Sequence, residues 1–194
     1  VIAGKYRSRP LKSLPGLDLR PTADRLRETL FNVLTPGNPD ALAGSIWVDL
    51  FAGTGAVGIE ALSRGASMVY FVESAPAAAE LIRKNLKSLG LESGFEVLKM
   101  DTIRALRSLE SRNIAPRFVF LDPPYQMENE YRRTLAYLAE SRLLTDETIV
   151  IAEHQKKLDP GEAVPLGRFR KLQQGDASLS LYRLSNERQS PLVP

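Results

Sequence analysis

Cysteine is absent from this sequence and histidine occurs once, at His154. The first absence excludes disulfides, thiolate zinc sites and cysteine nucleophiles, and it is consistent with a reducing compartment. The second excludes a histidine-rich metal centre, so no metal is expected. No apolar run reaches the roughly 20 residues that a membrane span requires, and no signal-peptide pattern opens the chain. A cytoplasmic protein without a membrane partner is the expectation. Acidic residues are also missing at the start: none precedes Asp18, while Lys5, Arg7, Arg9 and Lys12 fall within the first twelve residues. A basic arm of this kind is suited to tracking nucleic-acid phosphates. The plainer alternative is a solvated, hairpin-like edge broken by Gly4 and Pro10.

What is present reads as one α/β unit. At 194 residues with 43% hydrophobic and 25% charged, the composition is that of a globular domain. A chain of this length buries roughly 70% of its unfolded surface. Residues 1–40 form a basic N-terminal extension followed by a helix, with Thr22 as its N-cap and Leu26, Leu30, Val33 and Leu34 at helical spacing; Pro36-Gly37 stops it. From 41 to 184 short apolar strands alternate with amphipathic helices. Strands are predicted at 46–50, 68–73, 95–100, 118–122 and 148–153. Helices are predicted from the glycine-rich turn to about Arg64, from Pro76 to Gly90, over 102–112 and over 128–141. That order predicts a mostly parallel, doubly wound sheet. Segments 169–172 and 178–184 close it as an antiparallel pair, giving seven strands, and 185–194 reads as a tail. A monomer is expected.

Residues 49–58, Asp-Leu-Phe-Ala-Gly-Thr-Gly-Ala-Val-Gly, end the first strand and open a helix. Gly53, Gly55 and Gly58 fit the dinucleotide fingerprint G-x-G-x-x-G, and Glu73 lies 20 residues after Gly53 where a ribose-binding acid belongs. A nicotinamide-dependent oxidoreductase is therefore one reading. Asp49 argues for another. In dinucleotide sites the first glycine ends the strand so that pyrophosphate reaches the helix N-terminus; here a carboxylate ends it and would repel pyrophosphate. That carboxylate suits the cationic methionine portion of S-adenosylmethionine. Glu73 would then take the ribose hydroxyls, and Asp101, ending the third strand, would reach the adenine amine. Each acid alone is also a plausible helix cap. The cofactor set predicted from the sequence comprises Asp49, Phe51, Ala52, Gly53, Gly55, Gly58, Glu73, Asp101 and Thr102.

Asp122-Pro123-Pro124-Tyr125 follows the fourth strand and is the most specific signal in the chain. The prolines fix φ and donate no N–H, so the turn is rigid and its carbonyls are free to accept. An exocyclic base amine is a poor nucleophile because its lone pair is delocalised into the ring. The Asp122 carboxylate and the Pro123 carbonyl can accept its two hydrogens and localise that pair on nitrogen, while Tyr125 offers a stacking face. Catalysis of this kind is positioning and polarisation, and it needs neither histidine nor cysteine. The tetrapeptide by itself leaves guanine, adenine and cytosine open.

The chain resembles the bacterial ribosomal RNA small-subunit methyltransferase D family. The resemblance is carried by Arg20-Pro-Thr-Ala-Asp-Arg-Leu-Arg-Glu-Thr-Leu-Phe-Asn32, by residues 49–58 with Glu60-Ala-Leu-Ser-Arg-Gly65, by residues 122–125, and by the opening Val1-Ile-Ala-Gly4. It implies a Rossmann-like class I S-adenosylmethionine-dependent methyltransferase fold and transfer to the exocyclic N2 amine of a guanine in 16S rRNA, within assembling small ribosomal subunits. It also implies that the segment around Thr22, Arg25 and Glu28 closes over the methionine end of the cofactor. Lys5, Arg7, Arg9 and Lys12 would contact the RNA. The runner-up is an N6-adenine DNA methyltransferase, which would use the same tetrapeptide but usually carries a target-recognition region. A non-catalytic RNA-binding module is a further alternative. Among weaker candidates, Tyr6, Tyr131, Tyr137 and Tyr182 are potential base-stacking groups, Tyr137 at core-like helical spacing, and His154 reads as structural.

Overall fold

The computed structural model describes residues 1–13, 21–38, 40–124 and 126–185, with the side chains of 21–23 excepted. Its elements in chain order are a short 3-10 turn (Gly4–Tyr6), α1 (Pro21–Leu34), β1 (Ile46–Leu50), α2 (Ala56–Ser63), β2 (Met68–Val72), α3 (Pro76–Ser88), β3 (Phe95–Leu98), α4 (Thr102–Ser111), β4 (Phe118–Leu121), α5 (Asn129–Glu140), β5 (Ile149–Gln155), β6 (Leu166–Gln174) and β7 (Ala177–Leu184). The strands form one seven-stranded sheet in the order β3-β2-β1-β4-β5-β7-β6. The first five are parallel, and β7 runs antiparallel to both of its neighbours.

Alternation of side chains along each strand splits the core in two. On one face Trp47, Val69, Phe71, Phe118, Phe120 and Ile151 meet α1, α2 and α3 through Leu26, Leu30, Phe31, Ile59, Ile82 and Leu86. On the other, Val48, Leu50, Val119, Leu121, Val150 and Ala152 meet α4 and α5 through Leu106, Leu109, Leu135 and Leu138. Trp47 fixes α1 to the first face. Its ring stacks on Phe31 at 5.4 Å and tilts against Phe118 at 4.9 Å between centroids. Because β1 lies beside β4, with α2 and α3 on one face and α4 and α5 on the other, the chain reverses its winding between these two strands. The crevice at their carboxyl ends is where doubly wound sheets bind ligands.

The N-terminal segment differs from the hairpin-like expectation: no strand occurs in residues 1–13, whose one regular element is the 3-10 turn. Its backbone is held instead by polar side chains of α2 and α3. Ile2 and Ala3 N–H donate to the two oxygens of buried Glu60 at 2.7 and 3.0 Å, and Tyr6 N–H donates to Ser63 Oγ at 2.9 Å. Further on, Lys12 N–H donates to Asn85 Oδ1 at 2.8 Å, while Asn85 Nδ2 donates to the carbonyls of Lys12 and Thr54. A hairpin would have satisfied these N–H groups within itself; the helices satisfy them here. Thr22 is a first-turn residue of α1 and not its N-cap, because Pro21 occupies the earlier position with the fixed φ that suits a helix start.

Candidate active site

The glycine-rich turn after β1 is built from left-handed backbone. Phe51, Gly53 and Gly55 have φ of 60, 55 and 78°, which lets the chain reverse tightly into α2 with Gly55 at its N-cap. Gly58 serves a different need. A Cβ there would overlap Phe71 and Val69, so its absence lets α2 settle against β2. Asp49 closes the arrangement: its Oδ2 accepts the Gly58 N–H at 2.9 Å. The Asp49 carboxyl is buried, and burial, with the charges of Asp122 and Glu73 behind it, pushes its pKa up to about 8 against the pull of that hydrogen bond.

Glu73 follows β2 and is oriented by two backbone donors. Its Oε2 accepts the Gly53 N–H at 2.9 Å and its Oε1 the Ala75 N–H at 2.8 Å. These bonds tie the ends of β1 and β2 together and leave lone pairs on both oxygens free. Asp101 takes a helix-capping place. Its Oδ1 accepts from Ile103 and Arg104 N–H at 3.0 and 3.3 Å at the start of α4, with Thr102 as the first helical residue, and its Oδ2 lies 3.6 Å from Arg133. Ala52, within the turn, is buried.

Asp122 follows β4 beside the glycine turn, since Leu50 and Leu121 are register partners in the parallel β1–β4 pair. Burial raises the pKa of its carboxyl to about 7. Pro123 is buried and Pro124 exposed; Tyr125 lies outside the described residues. The strand on the other side contributes an acid that the motifs did not single out. Leu121 pairs with Ala152, which sets Glu153 beside Asp122. Its pKa is raised well above the carboxylate range by burial and then by the Asp122 charge, with Asp49 adding and Arg27 opposing.

Arg27 is the second group missed. It is 8% exposed, under α1, and its Nη2 donates to Asp24 at 2.8 Å, while Nε has no hydrogen-bond partner among the described residues. Arg25 and Glu28, by contrast, are exposed on the same helix. The signal was present in the spacing: Arg27, Phe31 and Leu34 share one helical stripe, so this guanidinium had to point inward.

Not every sequence candidate converges here. Tyr131 and Tyr182 are fully buried, and Tyr131 donates to the Glu153 carbonyl at 2.6 Å; neither is available to stack on a base, because both fill the α5 side of the core. Tyr137 packs against the same core and donates to Glu110. Tyr6 is partly buried against the opposite core, with Lys5 Nζ 5.4 Å from its ring centroid. His154 points away from Glu153, as alternation requires: Nε2 meets Ser180 Oγ at 2.9 Å in the core, and burial lowers its pKa. Lys5, Arg7, Arg9 and Lys12 are exposed along the docked segment.

Sheet order, glycine turn and the proline tetrapeptide define the class I S-adenosylmethionine-dependent methyltransferase fold. The model of the family described as "Conserved hypothetical protein 95" matches residues 1–183. Ribosomal RNA small subunit methyltransferase D of Haemophilus influenzae is 37% identical over 159 residues, covering 80% of this chain and 78% of that one. The chain belongs to this family, the ribosomal RNA small-subunit methyltransferase D family. A solved structure of a hypothetical protein from Thermus thermophilus superposes with a TM-score of 0.77 at 29% identity, over 94% of this chain and 97% of that one. At greater distance, SMU.776 in complex with SAH has a TM-score of 0.68 at 14% identity, over 86% of this chain and 50% of that one, a likeness of fold alone.

Proposed function

We propose that this protein transfers the methyl group of S-adenosylmethionine to the exocyclic N2 amine of a guanine in 16S rRNA, in assembling small ribosomal subunits. The observation that carries the reading is the juxtaposition of Asp122-Pro123-Pro124 at the end of β4 with the glycine turn of β1, in a chain of this family.

The residues at the crevice fit the cofactor. A Cβ built on Gly53 would meet nothing closer than the Phe51 carbonyl at 3.9 Å, so space for a ligand opens against the backbone there. Glu73 is held with lone pairs free on both oxygens, the arrangement that accepts a pair of vicinal ribose hydroxyls. Asp49, Asp122 and Glu153 gather three carboxyls whose ionised forms a cationic sulfonium and ammonium would favour. S-adenosylmethionine supplies an electrophilic methyl group on that sulfonium.

The chain supplies the remainder by positioning. The Asp122 carboxylate and the Pro123 carbonyl accept the two amine hydrogens, localise the nitrogen lone pair and aim it. Tyr125 provides the stacking face. Asp49 serves the site by pinning Gly58, which keeps the turn closed around the crevice, and Asp101 holds the start of α4 below the adenine position. Phe51, Ala52, Gly55 and Thr102 line the same edge, with Thr22 and Arg25 in the helix that covers the methionine end. Lys5, Arg7, Arg9 and Lys12 contact RNA phosphates. Asp122→Ala is the test: methyl transfer is expected to fall by about a thousandfold or more, with cofactor affinity by calorimetry changed only a few-fold. Retained turnover would remove Asp122 from the mechanism.

A further inference from the structure

Glu153 is a half-buried acid to which the proposed mechanism gives no task. Leu121 and Ala152 are register partners, so Asp122 and Glu153 are the next residues on adjacent parallel strands. Phe120 and Ile151, two positions earlier on each strand, lie on the face covered by α1, and alternation carries both carboxylates to that face. Arg27 from α1 and Asp49 from β1 face the pair.

The pair differs from the other acids of the site in its hydrogen bonds. Asp49 accepts from Gly58, Glu73 from Gly53 and Ala75, and Asp101 from Ile103 and Arg104. Among the described residues no donor reaches the carboxylate of Asp122 or of Glu153. Tyr131 donates to the Glu153 backbone carbonyl, which fixes the end of the strand and leaves the side chain open. Acceptors half-buried at the crevice and without a protein donor favour a ligand that brings donors of its own. Two such acceptors side by side call for two donors side by side.

Among the bases that carry an exocyclic amine, guanine meets that demand: N1–H and N2–H are adjacent on its Watson–Crick edge. Adenine and cytosine place a ring nitrogen acceptor next to the amine, which would confront a carboxylate with a lone pair. Single-stranded bases are read on this edge. We propose that Glu153 accepts the N1–H of the target guanine while Asp122 accepts from its N2 amine, so that the two acids together select guanine. The inference rests on the guanine-N2 reading and gives that reading a source in the chain's own residues. Arg27 holds compensating positive charge beside the pair when both acids are ionised.

The test compares one RNA carrying guanine at the methylated position with the same RNA carrying 2-aminopurine, which keeps the amine and lacks the N1 hydrogen. Initial rates at limiting RNA are measured for the wild type and for Glu153→Gln. The wild type is expected to favour guanine by about 10- to 100-fold, and the variant to treat the two within about threefold, because the introduced amide can donate to the bare N1. Both rates come from one protein preparation, so a loss of folded fraction cancels in the ratio. A wild type that methylates guanine and a variant with the unchanged ratio overturn the role of Glu153 alone. A wild type that methylates adenine or cytosine and leaves guanine untouched overturns both this role and the guanine-N2 reading.

Discussion

In the proposed mechanism Asp122 accepts an amine hydrogen most strongly when ionised, and burial raises its pKa to about 7. The rate of the transfer step is therefore expected to climb as pH rises through that value and to level off above it. Single-turnover measurements from pH 5.5 to about pH 9 check this; a rate flat from pH 5.5 upward would mean that Asp122 is ionised throughout. Glu73 differs in being fixed by two backbone N–H groups. Glu73→Ala removes the proposed ribose acceptor and frees the Gly53 N–H together. Cofactor affinity is expected to fall by about 10- to 100-fold, at one charge-assisted hydrogen bond or slightly more. Unchanged affinity in isothermal titration would remove Glu73 from the cofactor site. Both positions stand out in the sequence because each follows an apolar strand next to a turn signal. Glu153 ends a strand too, but no motif surrounds it, and what gives it meaning is its neighbour on β4, a contact between residues 31 positions apart. Sequence spacing holds no record of that pairing.

At the level of elements, α2 is held from both sides by contacts that no local pattern announces. Gly58 lets it approach Phe71 and Val69, and Glu60 turns back to bind the N-terminal segment. Gly58→Ala places a methyl inside occupied space, and a loss of about 1–3 kcal/mol in unfolding free energy is expected from denaturant titration. Glu60→Ala orphans two backbone donors and the Arg64 guanidinium, which Glu60 holds at 2.7 Å. Faster amide exchange confined to residues 1–13 is the expected signature, and unaltered exchange there would show that the segment is held by other means. The alternating strands and helices of residues 46–153 matched their predicted places to within two residues at most boundaries, since period-two and period-3.6 patterns are local properties. The N-terminal segment departed from expectation because its partners, Glu60, Ser63 and Asn85, lie on helices about 60 to 70 residues away. Asp101 meets the cap geometry at the start of α4, a role that an acid just before a helix can hold together with a ligand contact.

For the whole molecule, the acids of the crevice tie stability to pH. Asp49, Asp122 and Glu153 all have folded-state values raised above those of an unfolded chain. Below about pH 4 both states are protonated and these groups contribute no pH dependence. Between there and about pH 8 the unfolded chain releases protons that the folded protein keeps, so stability is expected to fall as pH rises. Melting temperatures measured without cofactor across this window should decline, and Asp49→Asn, which keeps an acceptor for Gly58, should flatten part of the slope. The charge of the exterior acts at the same scale. Arg7 and Arg9 are exposed on the docked N-terminal segment, and replacing both by Ala is expected to weaken RNA binding and reduce its log–log salt slope by roughly 1–2; an unchanged slope would place the RNA elsewhere. Among the described residues no helix is long and apolar enough to cross a membrane. The central claim is the amine that receives the methyl group, and one measurement reaches it directly. The protein is incubated with methyl-labelled S-adenosylmethionine and, separately, deproteinised 16S rRNA, small-subunit particles lacking the modification, or duplex DNA, and each product is digested to nucleosides. Label in N2-methylguanosine from the rRNA or the particles is the predicted result; label in N6-methyladenine, or none in any RNA, would contradict it.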